Sequence, residues 1–213
     1  MNSKKFLIVA DIHGSMIGLD RTLELANELN VDKIIILGDT FGVGAREMVK
    51  KLNQVANKLE IVKGNNDWYY EPENADFVFL EYAYVNLNGT IAYACHGHRL
   101  DDMNLGKYNA KVIMQGHVHR PFIEKRDGVI RFCPGSISSP RHGSEKTFAV
   151  VENKKITIYN LDFEIFDEIE IMWCKIIKDF QKNTKIFFIT IYKVEILGYN
   201  KCINIKTMYN NYK

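Results

Sequence analysis

The feature that most constrains the fold is an apolar run followed by a polar loop, which occurs three times in the first 67 residues, with an amphipathic stretch between each run and the next. The runs span residues 5–10, 33–37 and 61–63, and their branched side chains are typical of strands covered on both faces. Strand–helix alternation favours parallel pairing with right-handed crossovers. The chain is therefore predicted to begin as an α/β sheet.

Two helices are expected between these strands. Ser15 has the position of an N-cap for the first helix. Apolar residues recur at helical spacing in both stretches, at Met16, Leu19, Leu23 and Ala26 in the first and at Met48, Leu52, Val55 and Leu59 in the second.

The second half of the chain is predicted to form β-hairpins. Asn88-Gly89 is a strong two-residue turn signal between an expected strand at 77–87 and another at 90–94. Further strands are predicted at 111–114, at 121–125 and 129–133 across Asp127-Gly128, and at 146–151 and 155–159 across Asn153. A domain of residues 1–171 is expected to end after these strands.

Residues 172–213 differ in composition from the rest of the chain. They are rich in Lys, Ile and Asn, and they contain no Ala, Ser, Arg or His. This segment carries a net charge of +6, whereas residues 1–171, with 20 basic and 24 acidic side chains, carry −4. The slight basicity of the whole chain therefore does not indicate a nucleic-acid partner. We expect an atypical extension without a catalytic role, with a helical stretch at 173–180 and a strand at 185–196.

Nothing in the sequence predicts export or membrane insertion. The apolar run at 6–10 is too short for a signal peptide, and no stretch approaches the ~18 apolar residues of a membrane span. The four cysteines show no close pairing, which is typical of proteins in a reducing compartment. We therefore expect a cytoplasmic protein.

Histidine, aspartate and asparagine follow the expected strands in short glycine-containing segments, which hold five of the six histidines. In open α/β sheets, ligands bind at the carboxyl ends of the strands. Each segment alone is more often a turn or a helix cap, but together they predict a metal site. The segments are Asp11-Ile12-His13-Gly14, Gly38-Asp39, Gly64-Asn65-Asn66-Asp67, His96-Gly97-His98 and Gln115-Gly116-His117-Val118-His119.

The donor atoms indicate the kind and the number of ions. The candidate ligands are Asp11, His13, Asp39, Asn65, His96, His117 and His119. One such ion takes about four to six ligands, so this set indicates two ions that share a bridging ligand. Mixed oxygen and nitrogen donors suit Mn, Fe or Zn better than Mg or Ca.

The order of these motifs, followed by Pro134-Gly135-Ser136, resembles the calcineurin-like metallophosphoesterase superfamily, and within it the YfcE-like phosphodiesterases, over roughly residues 5–165. The resemblance implies a four-layer α/β-β/α sandwich of two mixed sheets flanked by helices. It also implies a binuclear metal-dependent phosphodiesterase, in which a metal-bridging hydroxide attacks a small-molecule phosphoester. The expected cofactors are two divalent ions, with Mn as the first choice and Ni, Fe and Zn as alternatives. A homo-oligomer is compatible with this assignment.

The resemblance also implies a role for each motif residue. Asp11, His13 and His119 would hold one ion, Asn65, His96 and His117 the other, and Asp39 would bridge them. Asp67 is expected either to orient a histidine ligand through its free N–H or to cap a turn. His98 has no position among the ligands, so a contact with the substrate phosphate and simple packing both stay open. The proposed catalytic residues are Asp39, Asn65, Asp67, His96 and His98.

Two positions depart from the superfamily pattern. Many members carry a histidine after the motif asparagine, where it binds substrate or protonates the leaving group, but this chain has Asn66. Because an amide cannot act as a general acid, substrates with good leaving groups are favoured. Cys133 stands where the family often has Asn before Pro-Gly-Ser.

Two alternative functions are kept open. A phosphomonoesterase or a nucleotide pyrophosphatase could use the same scaffold. The superfamily also includes a retromer subunit that acts as a non-catalytic interaction scaffold, and the atypical extension favours a role of that kind. The complete set of candidate ligands favours an enzyme.

Overall fold

The computed structural model describes residues 3–67 and 72–171. The expected extension at 172–213, with its helical stretch and strand, lies outside these residues, so the domain boundary after residue 171 remains a prediction. Within the described ranges, no helix is both long enough and apolar enough to span a membrane.

The described residues form twelve strands, two α-helices and two short 3₁₀ turns at Ala56–Lys58 and Leu105–Tyr108. The helices are α1 (Met16–Glu28), which begins at the predicted N-cap Ser15, and α2 (Ala45–Asn53). The strands are β1 (Phe6–Val9), β2 (Lys33–Leu37), β3 (Leu59–Val62), β4 (Phe79–Leu80), β5 (Tyr82–Leu87), β6 (Thr90–Cys95), β7 (Val112–Gln115), β8 (Pro121–Arg126), β9 (Val129–Pro134), β10 (Thr147–Glu152), β11 (Lys155–Asn160) and β12 (Ile165–Glu170).

These strands form two mixed sheets. The seven-stranded sheet has the order β12-β11-β10-β1-β2-β3-β4, and the five-stranded sheet has the order β5-β6-β7-β9-β8. The predicted parallel pairing of β1, β2 and β3 is confirmed, and β6 and β7 are parallel in the other sheet. The carboxyl ends of β1, β2 and β3 therefore lie at one edge of their sheet, as the candidate ligands require.

The two sheets pack face to face over an apolar core. Phe6, Ile8 and Ile35 of the first sheet share one buried cluster with Ala92 and Phe132 of the second. Alternate residues of β1, β2 and β3 point to the other face of the seven-stranded sheet, since side chains alternate along a strand. There they pack against Leu19, Leu25, Met48 and Leu52 of the two helices.

The outer face of the five-stranded sheet is covered thinly. Among the described residues, the 3₁₀ turn at Leu105–Tyr108 lies over this face, where Leu105, Ile113 and Val129 form a small cluster. Tyr82, Tyr84 and Ile91 of the same sheet stay substantially exposed. The expected sandwich is confirmed, but its fourth layer is slight in the described part of the chain.

Three details of the secondary structure differ from the prediction. The expected strand at 77–87 is two strands, because β4 pairs with β3 in one sheet and β5 pairs with β6 in the other. Helix α2 ends at Asn53, so the predicted helix residues Val55 and Leu59 lie beyond it. The Asn53 side chain forms hydrogen bonds with the backbone of residues 74 and 76. Strand β12 was not predicted, and it forms a half-exposed edge on β11.

Candidate metal centre

The structure brings the seven predicted ligands together from both sheets. Asp11 and His13 follow β1, Asp39 follows β2, and Asn65 follows β3, all in the seven-stranded sheet. His96 follows β6 and the pair His117 and His119 follows β7, in the five-stranded sheet. The candidate centre therefore lies where the strand ends of the two layers meet.

A first set of donors consists of Asp11, His13 and His119. The Nε2 atoms of His13 and His119 lie 3.0 Å apart, and His119 Nε2 lies 3.3 Å from Asp11 Oδ1. One donor atom from each of these residues and one from Asp39 all lie within 4.8 Å of one another. Such a cluster of oxygen and neutral nitrogen donors is typical of a site for a divalent cation.

A second set of donors consists of Asn65, His96 and His117. His96 Nε2 lies 3.1 Å from Asn65 Oδ1 and 3.3 Å from His117 Nδ1. These contacts meet at the same nitrogen of His96, which is fully buried as a side chain. The second set is therefore organised around His96.

Asp39 lies between the two sets. Its Oδ2 atom is 3.5 Å from His13 Nε2 and 3.4 Å from His96 Nε2, so one oxygen faces a histidine of each set. Asn66 donates to Asp39 twice, from its backbone N–H at 2.8 Å and from its side-chain amide at 2.6 Å. The residue that replaces the superfamily histidine thus holds the proposed bridging carboxylate.

The spacing and the tautomers of these donors fit metal ions. Ligands at about 2.1 Å from one ion lie about 3.0 to 3.4 Å from their neighbours around it, which is close to the separations within each set. His96 Nδ1 donates to the Leu37 carbonyl at 2.8 Å, and His119 Nδ1 donates to the Ser139 carbonyl at 2.5 Å. Because a carbonyl only accepts, the proton of each neutral ring lies on Nδ1, and Nε2 is the nitrogen with a lone pair for a metal. Metal-binding histidines are usually fixed in this way.

The protonation of the donors differs between the sets. Burial acts to lower the pKa of His96, but the hydrogen bond and charge of Asp39 raise it overall, so an ion in the second set must displace a proton. Burial raises the pKa of Asp11 to about 7, although the nearby His96 acts against this rise. Burial also acts to raise the pKa of Asp39, but the hydrogen bond and charge of His96 and the bonds from Asn66 hold that pKa below its usual range. For His13 and His119, burial lowers the pKa, which favours the neutral imidazole that binds a metal.

Most of the candidate ligands have a left-handed backbone conformation. The φ angles are 55° at Asp11, 50° at His13, 50° at Asp39, 71° at His117 and 56° at His119. Such conformations cost about 1–3 kcal/mol each for residues other than glycine and persist only where the surroundings impose them. They cluster at functional sites, and here they turn the side chains at the strand ends towards one another.

The surrounding residues impose this conformation. Ser136 Oγ donates to the Asp11 carbonyl at 2.8 Å, and Ser138 Oγ lies within 3.0 Å of the carbonyls of Asp11 and Ile12. The sequence showed Ser136 only as part of a motif, and it gave no signal for Ser138. Gly64 leaves room for the bridging residue, because a Cβ there would lie 2.0 Å from Asp39 Oδ1 and 2.2 Å from Asp39 N.

Asp67 lies behind the ligands. It is fully buried, and its carboxylate accepts hydrogen bonds from the backbone N–H groups of Thr40, Phe41 and Gly64. Asp67 was expected either to orient a histidine ligand or to cap a turn, and hydrogen bonds to backbone N–H groups are typical of the capping role. They join the loop that carries Asp39 to the loop that carries Asn65.

His98 lies close to the centre but outside both sets. Its ring centroid is 5.5 Å from that of His96 and 6.1 Å from that of His117. Both ring nitrogens are buried, and neither has a hydrogen-bond partner among the described residues. An unpaired buried imidazole is costly unless a ligand completes it.

Arg141 is close enough to the first set to affect its protonation. Its backbone N–H donates to the His119 carbonyl at 3.2 Å. Burial is the main cause that lowers the pKa of His13 and of His119, and the charge of Arg141 lowers both further.

Cys133, the other departure from the superfamily pattern, is fully buried beneath the site, and burial raises the pKa of its thiol. It is therefore held as a neutral thiol and takes no part in the donor sets.

Comparison with known proteins shows a family match and close relatives. The family model described as the calcineurin-like phosphoesterase superfamily domain matches residues 5–155. The chain is 29% identical over 170 residues to the protein named phosphodiesterase YfcE of Escherichia coli (strain K12), covering 74% of this chain and 92% of that relative.

Solved structures agree with the fold. The structure of Yfce, described as a phosphoesterase from E. coli, superposes with a TM-score of 0.69 at 28% identity, covering 79% of this chain and all of that one. Vacuolar Protein Sorting 29 from Cryptosporidium parvum superposes with a TM-score of 0.60 at 18% identity, covering 80% of this chain and 100% of that one. The second likeness shows the fold alone.

Proposed function

The chain belongs to the calcineurin-like phosphoesterase superfamily, and on this premise we propose that it is a binuclear metal-dependent phosphodiesterase. The observation that supports two ions is the position of Asp39 Oδ2, 3.5 Å from His13 Nε2 and 3.4 Å from His96 Nε2. In this proposal, each set holds one ion and Asp39 bridges them. Mn is the first choice, with Ni, Fe and Zn as alternatives.

Two bound divalent ions would supply a nucleophile from water at neutral pH and neutralise charge on the phosphoryl oxygens. The chain's own contribution is to hold the donors in place before the substrate arrives. The carbonyls of Leu37 and Ser139 orient His96 and His119, and Asn66 fixes both oxygens of Asp39. His98 would donate a hydrogen bond to a phosphoryl oxygen, since its ring nitrogens are unpaired in the described part of the chain.

The order of preference among substrates follows from Asn66. Its amide cannot protonate a leaving alkoxide, so diesters with good leaving groups should be hydrolysed fastest. The name of the E. coli relative supports a diesterase over a monoesterase. Comparing bis-p-nitrophenyl phosphate with p-nitrophenyl phosphate, with Mn supplied, separates the phosphodiesterase from the phosphomonoesterase alternative.

The decisive experiment replaces the proposed bridge. Asp39→Asn should lose both ions and at least about a thousandfold in kcat/KM, because each ion contributes several kcal/mol to the transition state. Metal content by mass spectrometry and diester hydrolysis are the measurements. Asp76→Asn, at an exposed carboxylate outside the site, is the control and should change neither.

A different result would favour another class of function. If wild-type protein takes up no metal and hydrolyses no phosphoester, the enzyme proposal fails and the interaction-scaffold alternative gains support.

For the compartment, we propose the cytoplasm, because Cys95 and Cys133 are buried free thiols.

A further inference from the structure

A groove with a volume of about 370 Å³ opens beside the second set of donors. Its lining includes two histidines, His96 and His98, and three tyrosines, Tyr82, Tyr93 and Tyr108. Sites for small molecules have volumes of about 300 Å³ and above, so this groove can hold a ring and its substituents. We call it the tyrosine groove.

The three tyrosines of the groove pack against one another. The rings of Tyr93 and Tyr108 are stacked at a centroid distance of 4.6 Å, and Tyr82 lies 5.4 Å from Tyr93 with an interplanar angle of 32°. Tyr108 is fixed by its hydroxyl, which accepts from the Asp101 N–H at 2.7 Å. Tyr82 is 52% exposed, so about half of this residue remains accessible to a ligand.

The groove is continuous with the candidate metal centre. His96, which is central to the second set, also lines the groove, and the unpaired nitrogens of His98 lie beside it. A phosphate held at the two sets could therefore place one ester arm over His98 and against the tyrosines. The outer rim carries an exposed ion pair, Arg99 with Glu81 at 3.8 Å, which leaves the aromatic wall as the main apolar surface.

We propose that the tyrosine groove binds a planar aromatic group on one arm of the phosphodiester substrate. Tyr82, the most exposed of the three rings, stacks against the substrate ring, and Tyr93 and Tyr108 support it from behind, as aromatic side chains do in sequence-tolerant binding of nucleobases. The inference rests on the proposed function, because the phosphate of the substrate must lie at the donor sets. The ring could belong to a nucleoside or to a simple aryl ester.

The test compares phosphates that differ only in the shape of the attached group. Binding of phenyl phosphate and of cyclohexyl phosphate to Zn-loaded protein is measured by titration calorimetry. Phenyl phosphate should bind about fivefold more tightly, the gain that aromatic pairing gives beyond apolar burial. Adenosine 5′-monophosphate against ribose 5-phosphate then separates a nucleobase from a simple aryl group.

Variants of one tyrosine assign the preference to the groove. Tyr82→Leu keeps an apolar side chain but removes the ring, and it should abolish the preference, whereas Tyr82→Phe should retain it. Tyr84→Leu is the matched control, since Tyr84 is on the same strand and also 52% exposed but does not line the groove. Its hydroxyl donates to the Tyr108 carbonyl at 2.9 Å, so this control also reports any indirect disturbance of Tyr108.

The outcomes separate this inference from the proposed function. Equal binding of phenyl and cyclohexyl phosphate, or a preference that persists in Tyr82→Leu, overturns the groove assignment and leaves the phosphodiesterase proposal intact. If Zn-loaded protein binds none of these phosphates and metal-loaded protein does not hydrolyse bis-p-nitrophenyl phosphate, the proposed function fails and the inference fails with it; if only the binding is absent, the inference alone fails. A preference lost only in Tyr82→Leu supports the assignment.

Discussion

The two donor sets are held in place by different means. In the first set, Asp11, His13 and His119 all have left-handed backbones, and two serine hydroxyls brace the chain beside Asp11. In the second set only His117 has a left-handed backbone, whereas Asn65 and His96 have ordinary ones, and His96 is held by burial and by its bond to the Leu37 carbonyl. Imposed local strain is thus present at every ligand of the first set but at one of three in the second, where packing at the junction of the sheets holds the central histidine.

Among changes confined to one set, the largest expected effect comes from removing one histidine from each set in turn. His119→Gln and His96→Gln should each reduce bound metal from two ions to one and lower kcat/KM by about a thousandfold. Metal analysis of the purified variants, with Mn supplied, measures the stoichiometry. Loss of both ions in either variant would show that the sets do not act separately.

A glycine substitution should disturb the shared carboxylate through packing. In Gly64→Ala, the new Cβ meets Asp39 N and Oδ1, so we expect about 3 kcal/mol of destabilisation, at the upper end for overpacking. Thermal unfolding of the metal-free protein is the measurement, with a fall of about 6–12 °C in Tm for a domain of this size. Gly106→Ala is the control, because its nearest contact would be Asn104 Oδ1 at 3.7 Å.

The pH dependence of metal binding should distinguish the first set. The pKa of Asp11 is raised from 3.8 to about 7, so its neutral form stabilises the metal-free protein at low pH, and this contribution is lost as pH rises towards 7. An ion must displace that proton. In His96→Gln, which keeps the first set alone, metal affinity should rise by up to about tenfold per pH unit and level off only above pH 7, because His96 no longer acts to lower the Asp11 pKa.

Calorimetric titrations between pH 5.5 and 8.5 measure this affinity. Urea unfolding in the presence of a chelator measures the free energy of unfolding of the metal-free protein. Whereas metal affinity rises with pH, the contribution of Asp11 to this free energy should fall, so that the protein is more stable at pH 6 than at pH 8 as far as Asp11 contributes. A metal affinity that does not change with pH would contradict the raised pKa of Asp11.

The smallest expected effect tests the serine brace. Ser138→Ala removes the hydroxyl that lies 3.0 Å from the Asp11 carbonyl and 2.8 Å from the Ile12 carbonyl. One net hydrogen bond is worth about 1 kcal/mol, so affinity at the first set should fall about fivefold. Metal affinity at the second set should be unaffected. It is measured by comparing His119→Gln with the double variant that also carries Ser138→Ala. An equal loss at both sets would show that Ser138 supports the whole edge.

Much of this arrangement could be predicted, because the end of each strand is marked in the sequence by the change from an apolar run to a short polar segment. The buried runs before Asp11, Asp39 and Asn65 predicted three parallel strands, and the structure confirms their pairing. The break at Glu81 could not be predicted, because the residues on both sides of it are compatible with a strand. Only the tertiary partners place β4 in one sheet and β5 in the other.

The supports of the site were harder to predict than its donors. The positive φ angles at His117 and His119 result from long-range contacts, such as the backbone bond from Arg141 to His119, and no local pattern encodes them. The tyrosine groove combines residues of β5 and β6 with Tyr108 from a separate turn. A strand pattern identifies Tyr82 and Tyr93 as strand residues, but it does not show that their rings lie beside His98.

The division of the donors between the two sheets has a mechanical consequence. Four of them belong to loops of one layer and three to loops of the other, so an ion held by both groups would fasten the layers together at one rim of the sandwich. A ligand that binds only the folded state increases the free energy of unfolding. The ions proposed for catalysis would therefore also stabilise the packing of the two sheets. Chelation would then open the sandwich from that rim first, while the far ends of the sheets stay closed.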